Sequence, residues 1–182
     1  MITALIEKFQ RKKQRDILNK HPSIFLGNQF KLGINNQFII YKNIAKFSIG
    51  DHVSFRNYIH IILQDKAKLT IGNKVFFNNH CSINCLESIS IGENTLFGEN
   101  VKLYDHNHSY VRNENGLSVS HSEFTTAPIV IGKNCWLGSN VVVLKGVTIG
   151  DNCIIGAGCV IHKDIPANST VLNQQELNIK TY

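Results

Sequence analysis

Ile131-Gly132-Lys133-Asn134-Cys135-Trp136 runs directly into Leu137-Gly138-Ser139-Asn140-Val141-Val142 and then into Val143-Leu144-Lys145-Gly146-Val147-Thr148. Ile149-Gly150-Asp151-Asn152-Cys153-Ile154, Ile155-Gly156-Ala157-Gly158-Cys159-Val160 and Ile161-His162-Lys163-Asp164-Ile165-Pro166 continue the rhythm. Each sextet starts with an aliphatic residue. Its fifth place is small or β-branched: Cys135, Val141, Val147, Cys153, Cys159, Ile165. Glycine is frequent at the second place and asparagine at the fourth. A unit with one large and one small inward residue is a short strand plus a corner, and three units close a triangular coil whose neighbours stack. Glycine and asparagine suit the corners, where a positive φ costs them little.

The phrase recurs upstream as Ile49-Gly50-Asp51-His52-Val53, Ile71-Gly72-Asn73-Lys74-Val75 and Ile91-Gly92-Glu93-Asn94-Thr95. Ile131 to Ile149 is one coil of 18 residues, Ile71 to Ile91 is 20 and Ile49 to Ile71 is 22. The longer coils are expected to hold their extra residues at corners. A β-sandwich would show alternation over longer strands, which is absent.

Composition agrees. The 182 residues are 43% apolar and 18% charged, with 3 Pro and 1 Met, so the chain is globular, not disordered. Isoleucine-rich, methionine-poor composition favours strands. No apolar run approaches the ~18 residues that span a bilayer, and no small-residue cleavage site follows an apolar stretch at the N-terminus. The expectation is a cytoplasmic protein. Cys81, Cys135, Cys153 and Cys159 fall on the fifth, inward place and read as packing residues. Cys85 is expected at a corner. Without a CxxC pair, no metal site is expected.

The formal net charge is +6. Residues 1–20 hold six Lys/Arg against Glu7 and Asp16, a surplus of four, so the remainder is nearly neutral. Ile2, Leu5, Ile6, Phe9 and Ile17 recur at helical spacing, which predicts a basic amphipathic helix ended by His21-Pro22. It is expected to pack on the body with a solvated basic face, or to make a weak contact with an anionic membrane surface. No aromatic-basic interleaving follows, so nucleic acid is not an expected partner. The expected division is 1–22 helix, 23–167 solenoid and 168–182 tail.

The rhythm breaks once. Between Ile91 and Ile131 lie 40 residues where a coil needs 18. About 22 residues, roughly Tyr104 to Pro128, read as one long inserted loop, and such a loop in a repeating fold is usually functional. It opens with Tyr104-Asp105-His106-Asn107-His108. A histidine beside the coil wall suits general-base work near neutral pH. His106 and His108 as ordinary polar loop residues is the competing reading.

These sextets resemble the hexapeptide-repeat acyltransferases over roughly Phe25 to Pro166. The resemblance implies an all-β fold, a left-handed parallel β-helix, assembled as a homotrimer with grooves between subunits. It implies acetyl-CoA as co-substrate and direct attack of the acceptor on the thioester. Asp105-His106-Asn107-His108 resembles the form found in sugar and polysaccharide O-acetyltransferases of the maltose/galactoside group, which makes His106 the expected base, His108 the reserve and Asp105 a partner that orients or charge-stabilises a histidine. Asn78, Trp136, Ser139, Ala157, His162 and Lys163 match the family's cofactor groove: Ser139 through its backbone N–H, Ala157 as a small wall residue, and Lys163 (or Lys145) toward phosphates. Trp136 is expected outward at a corner, against the loop, a neighbouring subunit or the pantetheine arm. The acidic pair that such enzymes place before the catalytic loop is replaced by Asn84-Cys85-Leu86-Glu87, with Glu87 a stand-in. The tail carries Lys180 as its one basic residue, which puts C-terminal phosphate contacts in doubt.

The expected activity is acetyl transfer to a sugar hydroxyl of a cell-surface glycan or its precursor. The alternative is N-acetylation of a nucleotide-linked amino sugar or another small amine or alcohol. A third reading, a zinc hydratase of the γ-carbonic anhydrase type, would need His80, His106 and His108 as ligands, and their spacing fits that family poorly.

Overall fold

The computed structural model describes residues 2–175 and 179–180, with side chains from residue 4 onward. The expected contribution of Ile2 to a helix face, and part of the 168–182 tail, lie outside the described residues. Helix α1 (Ile2–Lys20) ends at His21-Pro22 as the sequence predicts, and the chain then winds into a three-sided parallel solenoid. Face A stacks Ile24–Leu26, Lys46–Ile49, Lys68–Ile71, Ser88–Ile91, Ile129–Ile131 and Thr148–Ile149. Face B stacks Lys31–Leu32, Ser54–Phe55, Phe76–Phe77, Leu96–Phe97, Trp136–Leu137, Ile154–Ile155 and Thr170–Val171. Face C stacks Gln37–Ile40, His60–Leu63, Ser82–Cys85, Lys102–Tyr104, Val142–Leu144 and Val160–Ile161.

Register keeps like beneath like. Ile49, Ile71, Ile91, Ile131 and Ile149 form one inward column. On face B the column is aromatic in the early coils: Phe55 packs edge-on to Phe77 at 5.0 Å, and Phe77 stacks on Phe97 at 4.3 Å. All three are buried, each worth about 2–3 kcal/mol of transfer free energy. Later coils fill the same place with Leu137 and Ile155.

Two kinds of corner residue divide the work assigned above to glycine and asparagine together. The fourth-place residues hold the left-handed conformation, and they are mostly asparagine: Asn94, Asn134 and Asn152 have φ between 56° and 58°. Their amides form a ladder, Asn94 Nδ2 donating to Asn134 Oδ1 at 2.9 Å and Asn134 Nδ2 to Asn152 Oδ1 at 3.1 Å. Gly132, at the second place, does not need a positive φ. A Cβ there would lie 2.5 Å from Asp151 Oδ1 and 2.6 Å from its backbone nitrogen. The second-place glycines at the A–B edge therefore answer to the closeness of the next coil.

The extra residues of the longer coils do not spread over all corners. Ile49 to Phe55, Ile71 to Phe77 and Ile131 to Leu137 are each six residues, as are Phe55 to Ile61, Phe77 to Ile83 and Leu137 to Val143. All length variation lies between faces C and A. There it lengthens strands as well as the turn: His60–Leu63 and Lys68–Ile71 have four residues each where Val142–Leu144 has three and Thr148–Ile149 two. Cys85 is accordingly in a face C strand and buried, not at a corner.

The inserted segment emerges from this same C–A edge. It is not an irregular loop but an antiparallel hairpin arm, His106–Asn113 paired with Gly116–Thr126, bulged between His108 and Tyr110. Tyr104, expected to open the insertion, belongs to face C. Pairing of eight strand residues on one side with eleven on the other lets the arm satisfy much of its own backbone away from the body.

Helix α1 closes the first coil with Leu18, fully buried, near Phe30. Arg15 Nη2 donates to the Phe30 carbonyl at 2.6 Å, and its guanidinium lies 5.8 Å from the centre of the Phe30 ring. The sequence reading that packs the apolar stripe on the body is overturned: Leu5, Ile6, Phe9 and Ile17 are exposed. The reason is angular. At 100° per residue, Phe9 lies opposite Leu18, so a helix docked by Leu18 turns Phe9 outward.

Gly132→Ala, which forces a Cβ into the backbone of the next coil, is expected to destabilise the fold by about 1–3 kcal/mol; a denaturant titration followed by circular dichroism measures it.

Candidate active site

Asp105 follows the last residue of a face C strand and is fully buried. Its carboxylate accepts backbone N–H bonds from Leu86 at 2.9 Å, Glu87 at 2.8 Å and Ser88 at 3.0 Å, the turn of the preceding coil. No lysine or arginine pairs with it among the described residues, so the backbone amides of that turn supply the compensation a buried carboxylate requires. Its Oδ1 also faces His106 Nδ1 at 3.3 Å. With Nδ1–H donating to that oxygen, Nε2 is the ring nitrogen left to accept a proton. The His106 ring is half-buried, edge-on to Phe124 at 5.3 Å, with Tyr104 at 6.3 Å on another side. Position and tautomer are thus set by one carboxylate and two aromatic rings.

His108 stands differently. Its Nδ1 donates to the Ser120 carbonyl across the arm at 2.9 Å, and its ring is exposed against Phe124 at 4.7 Å. It lines an open groove of about 690 Å³ with Asn107, Tyr110, Thr125 and Lys145. Asp105 thus approaches the first histidine and not the second.

The remaining expected residues divide between edges. Asn78, Ser139 and Ala157 lie on the B–C edge of the third, fifth and sixth coils, and Glu99 of the fourth donates its N–H to Ser139 Oγ at 3.2 Å. Ser139 borders a groove of about 400 Å³ with Tyr58, His60, His80, Ser82, Glu99, Asn100, Lys102 and Asn140. His162 and Lys163 lie on the C–A edge with His106, two coils beyond the arm, and border a smaller groove of about 230 Å³ with Val160 and Leu172. Trp136 is exposed as expected, but on face B between Leu96 and Ile154, not at a corner; the sixth place of the sextet is the first strand residue. Glu87 is held through its backbone N–H by Asp105. His80 sits on the B–C edge and His106 and His108 on the arm. Among the described residues, no three His, Cys, Asp or Glu side chains form a group able to hold a metal.

Asn140 to Lys145 spans face C from edge to edge, about 16 Å of strand. His106 and the Ser139 N–H are therefore on different edges of one chain, far beyond the ~3 Å separation that reacting groups need.

A model of the bacterial transferase hexapeptide, six repeats, matches residues 128–163, the stretch that supplies the regular coils described above. The likeness to the hexapeptide transferases is carried by these coils. This chain is 27% identical over 166 residues to WbbJ of Escherichia coli (strain K12), named as a putative lipopolysaccharide biosynthesis O-acetyl transferase; the match covers 88% of this chain and 72% of that one. Nodulation protein L of Rhizobium leguminosarum bv. viciae is 41% identical over 95 residues, 51% of this chain, and the match spans less than half of that relative's length, 47%. Among solved structures, hexapeptide-repeat acetyltransferase VCA0836 of Vibrio cholerae O1 biovar eltor, complexed with acetyl coenzyme A, superposes with TM-score 0.56 at 21% identity, covering 89% of this chain and 72% of that one. A point mutant of the N-acyltransferase AntD of Bacillus cereus, in complex with dTDP-4-amino-4,6-dideoxyglucose and coenzyme A, gives 0.71 at 13%, covering 92% and 87%. At these identities the two structures establish the fold alone.

Sequence reading of the chain missed the company Ser139 keeps. Tyr58 and His80 hold left-handed φ of 59° and 63° at the place where later coils of the same edge put Asn100 and Asn140, and their rings stack at 4.8 Å. An aromatic in the fourth place of a sextet was the available signal.

No cysteine of the chain is poised as a nucleophile. The Cys81 thiol donates to the Gly98 carbonyl at 3.2 Å, and burial pushes it from an ordinary 9.0 up to about 11. Burial also raises Cys85, with Asp105 beside it adding to the shift, and raises Cys135 and Cys159. All five cysteines are free and buried. Above pH 9 the unfolded chain releases thiol protons that the folded chain keeps, so folding stability falls as pH rises from 9.0 through about 11. Ellman's reagent at pH 8 is expected to react with the native protein far more slowly than with the denatured protein, which should release five equivalents, and denaturant midpoints are expected to drop between pH 9 and pH 11.

Proposed function

We propose that the protein is an acetyl-CoA-dependent O-acetyltransferase that acts on a sugar hydroxyl of a cell-surface glycan or its precursor, with His106 as general base. The observation that carries the reading is the buried Asp105 carboxylate on His106 Nδ1. The hexapeptide-repeat match, the relative named for lipopolysaccharide O-acetyl transfer and the fold shared with an acetyl-CoA complex support acyl transfer from that co-substrate.

His106 Nε2 takes the proton of the acceptor hydroxyl as its oxygen attacks the thioester carbonyl carbon. The backbone N–H of Ser139 donates to the carbonyl oxygen as negative charge develops there. As the carbon–sulfur bond breaks, the imidazolium returns the proton to the departing sulfur. The products are the acetyl ester and the free thiol, with no covalent enzyme intermediate, in keeping with thiols held protonated by burial. Gly156-Ala157-Gly158 offers a wall without bulk for the pantetheine arm, and Lys163 a point charge for its phosphates.

The division of these residues between edges has one economical resolution. In a homotrimer the C–A edge of one copy meets the B–C edge of the next, so His106 and Lys163 face Ser139 and Ala157 across a groove between subunits. Face C then turns toward the threefold axis, where its outward Ile39, Val142, Leu144 and Val160 find cover.

Thiol release from acetyl-CoA with a panel of glycans, and with amino sugars as the competing acceptor class, tests the activity. His106→Ala is expected to lower kcat at least ~100-fold, while His108→Ala keeps most of it; the opposite order moves the base, and preference for amines moves the reaction to N-acetylation. Val142→Glu places a charge on face C without touching the core. It is expected to yield monomers by light scattering and to abolish turnover; a fully active monomer would overturn the shared groove.

A further inference from the structure

Helix α1 presents an apolar face that nothing in its own chain covers. Leu5 is 63% exposed, Ile6 52%, Phe9 68% and Ile17 49%. These side chains lie on the side of the helix opposite Leu18, which docks it. Lys12, Lys13, Lys20 and Asp16 are interspersed among them on that face, and with Phe9 and Ile17 they line an open groove of about 500 Å³. The helix holds most of the chain's excess positive charge. No helix of the described residues is long and apolar enough to cross a membrane.

We propose that this face is a docking site for an anionic lipid surface, with α1 lying in the plane of the headgroups. Apolar side chains interspersed with ammonium groups are what such a surface complements: Leu5, Ile6, Phe9 and Ile17 enter the acyl boundary while the lysines extend their stems to keep the charges with the phosphates. A protein partner would call for an apolar core with few charges; here three lysines border the groove itself. The geometry also suits the site. Helix α1 closes the first coil, and the arm leaves from the fourth, so His106 stands about three coil spacings, ~15 Å, plus the thickness of the helix, ~10 Å, from the lipid. This is a reach suited to a glycan whose reducing end is held by a lipid. The orientation rests on the proposed acceptor class, whereas the docking itself does not.

Sedimentation of the full chain with vesicles tests it. Vesicles of phosphatidylcholine with about 30 mol % phosphatidylglycerol are expected to bind the protein about tenfold or more tightly than pure phosphatidylcholine, with the difference collapsing at high salt. Phe9→Glu is expected to abolish binding, and Lys12→Glu with Lys13→Glu to reduce it at least about tenfold. Both variants should keep the wild-type melting temperature, molar mass and thiol release with a water-soluble acceptor. Equal binding to both vesicle types, or none, overturns the proposal. So does a Phe9→Glu variant that breaks the oligomer in lipid-free buffer, because the face then belongs to a second copy of the chain. Activity lost in every variant and in wild type counts against the acetyl-transfer reading instead.

Discussion

Everything in this molecule answers to the spacing between stacked coils. Adjacent backbones hydrogen-bond around most of each turn, so a corner has to slip beneath the corner above it. Gly132 has no room for a Cβ over Asp151, and Asn134 turns the chain left-handed two residues on while its amide bonds the next asparagine of the ladder. Chain thickness is thereby fixed at two edges of the prism. Even the buried Thr95 conforms: its hydroxyl donates to the Gly132 carbonyl at 3.0 Å and accepts from Cys135 N at 3.2 Å, making a polar side chain at home in a column of valine and cysteine.

The third edge is the permissive one, and Asp105 is what makes its freedom useful. Three amides of the preceding coil hold its carboxylate, and the arm begins at the next residue. A hairpin exposed over most of its length would be a poor mount for the proposed base. His106 is at its root, where the rigid solenoid and the projecting arm share a buried anchor.

The solenoid was legible because its signal is repeated six times in succession and depends only on which residues fit inward. The reasons for individual residues were less legible. Spacing does not separate a glycine needed for a left-handed turn from one needed for clearance, and it placed Cys85 and Trp136 at corners that are strands. The arm was visible as an interruption, but its pairing was not, since Ser118 looks like a loop residue until it faces Val111. The orientation of α1 depended on which single residue, Leu18, caps the first coil. Of the site, Asp105 beside His106 was legible as a motif. The separation of His106 from Ser139 needed the path of the chain.

Because faces A to B and B to C keep a constant six-residue step while C to A varies, the prism has one elastic seam. Length can be added or removed there without disturbing the aromatic column or the asparagine ladder. Reshaping what approaches His106 is thus a matter of rewriting a single hairpin, and grafted arms of other lengths should be accepted by the same scaffold.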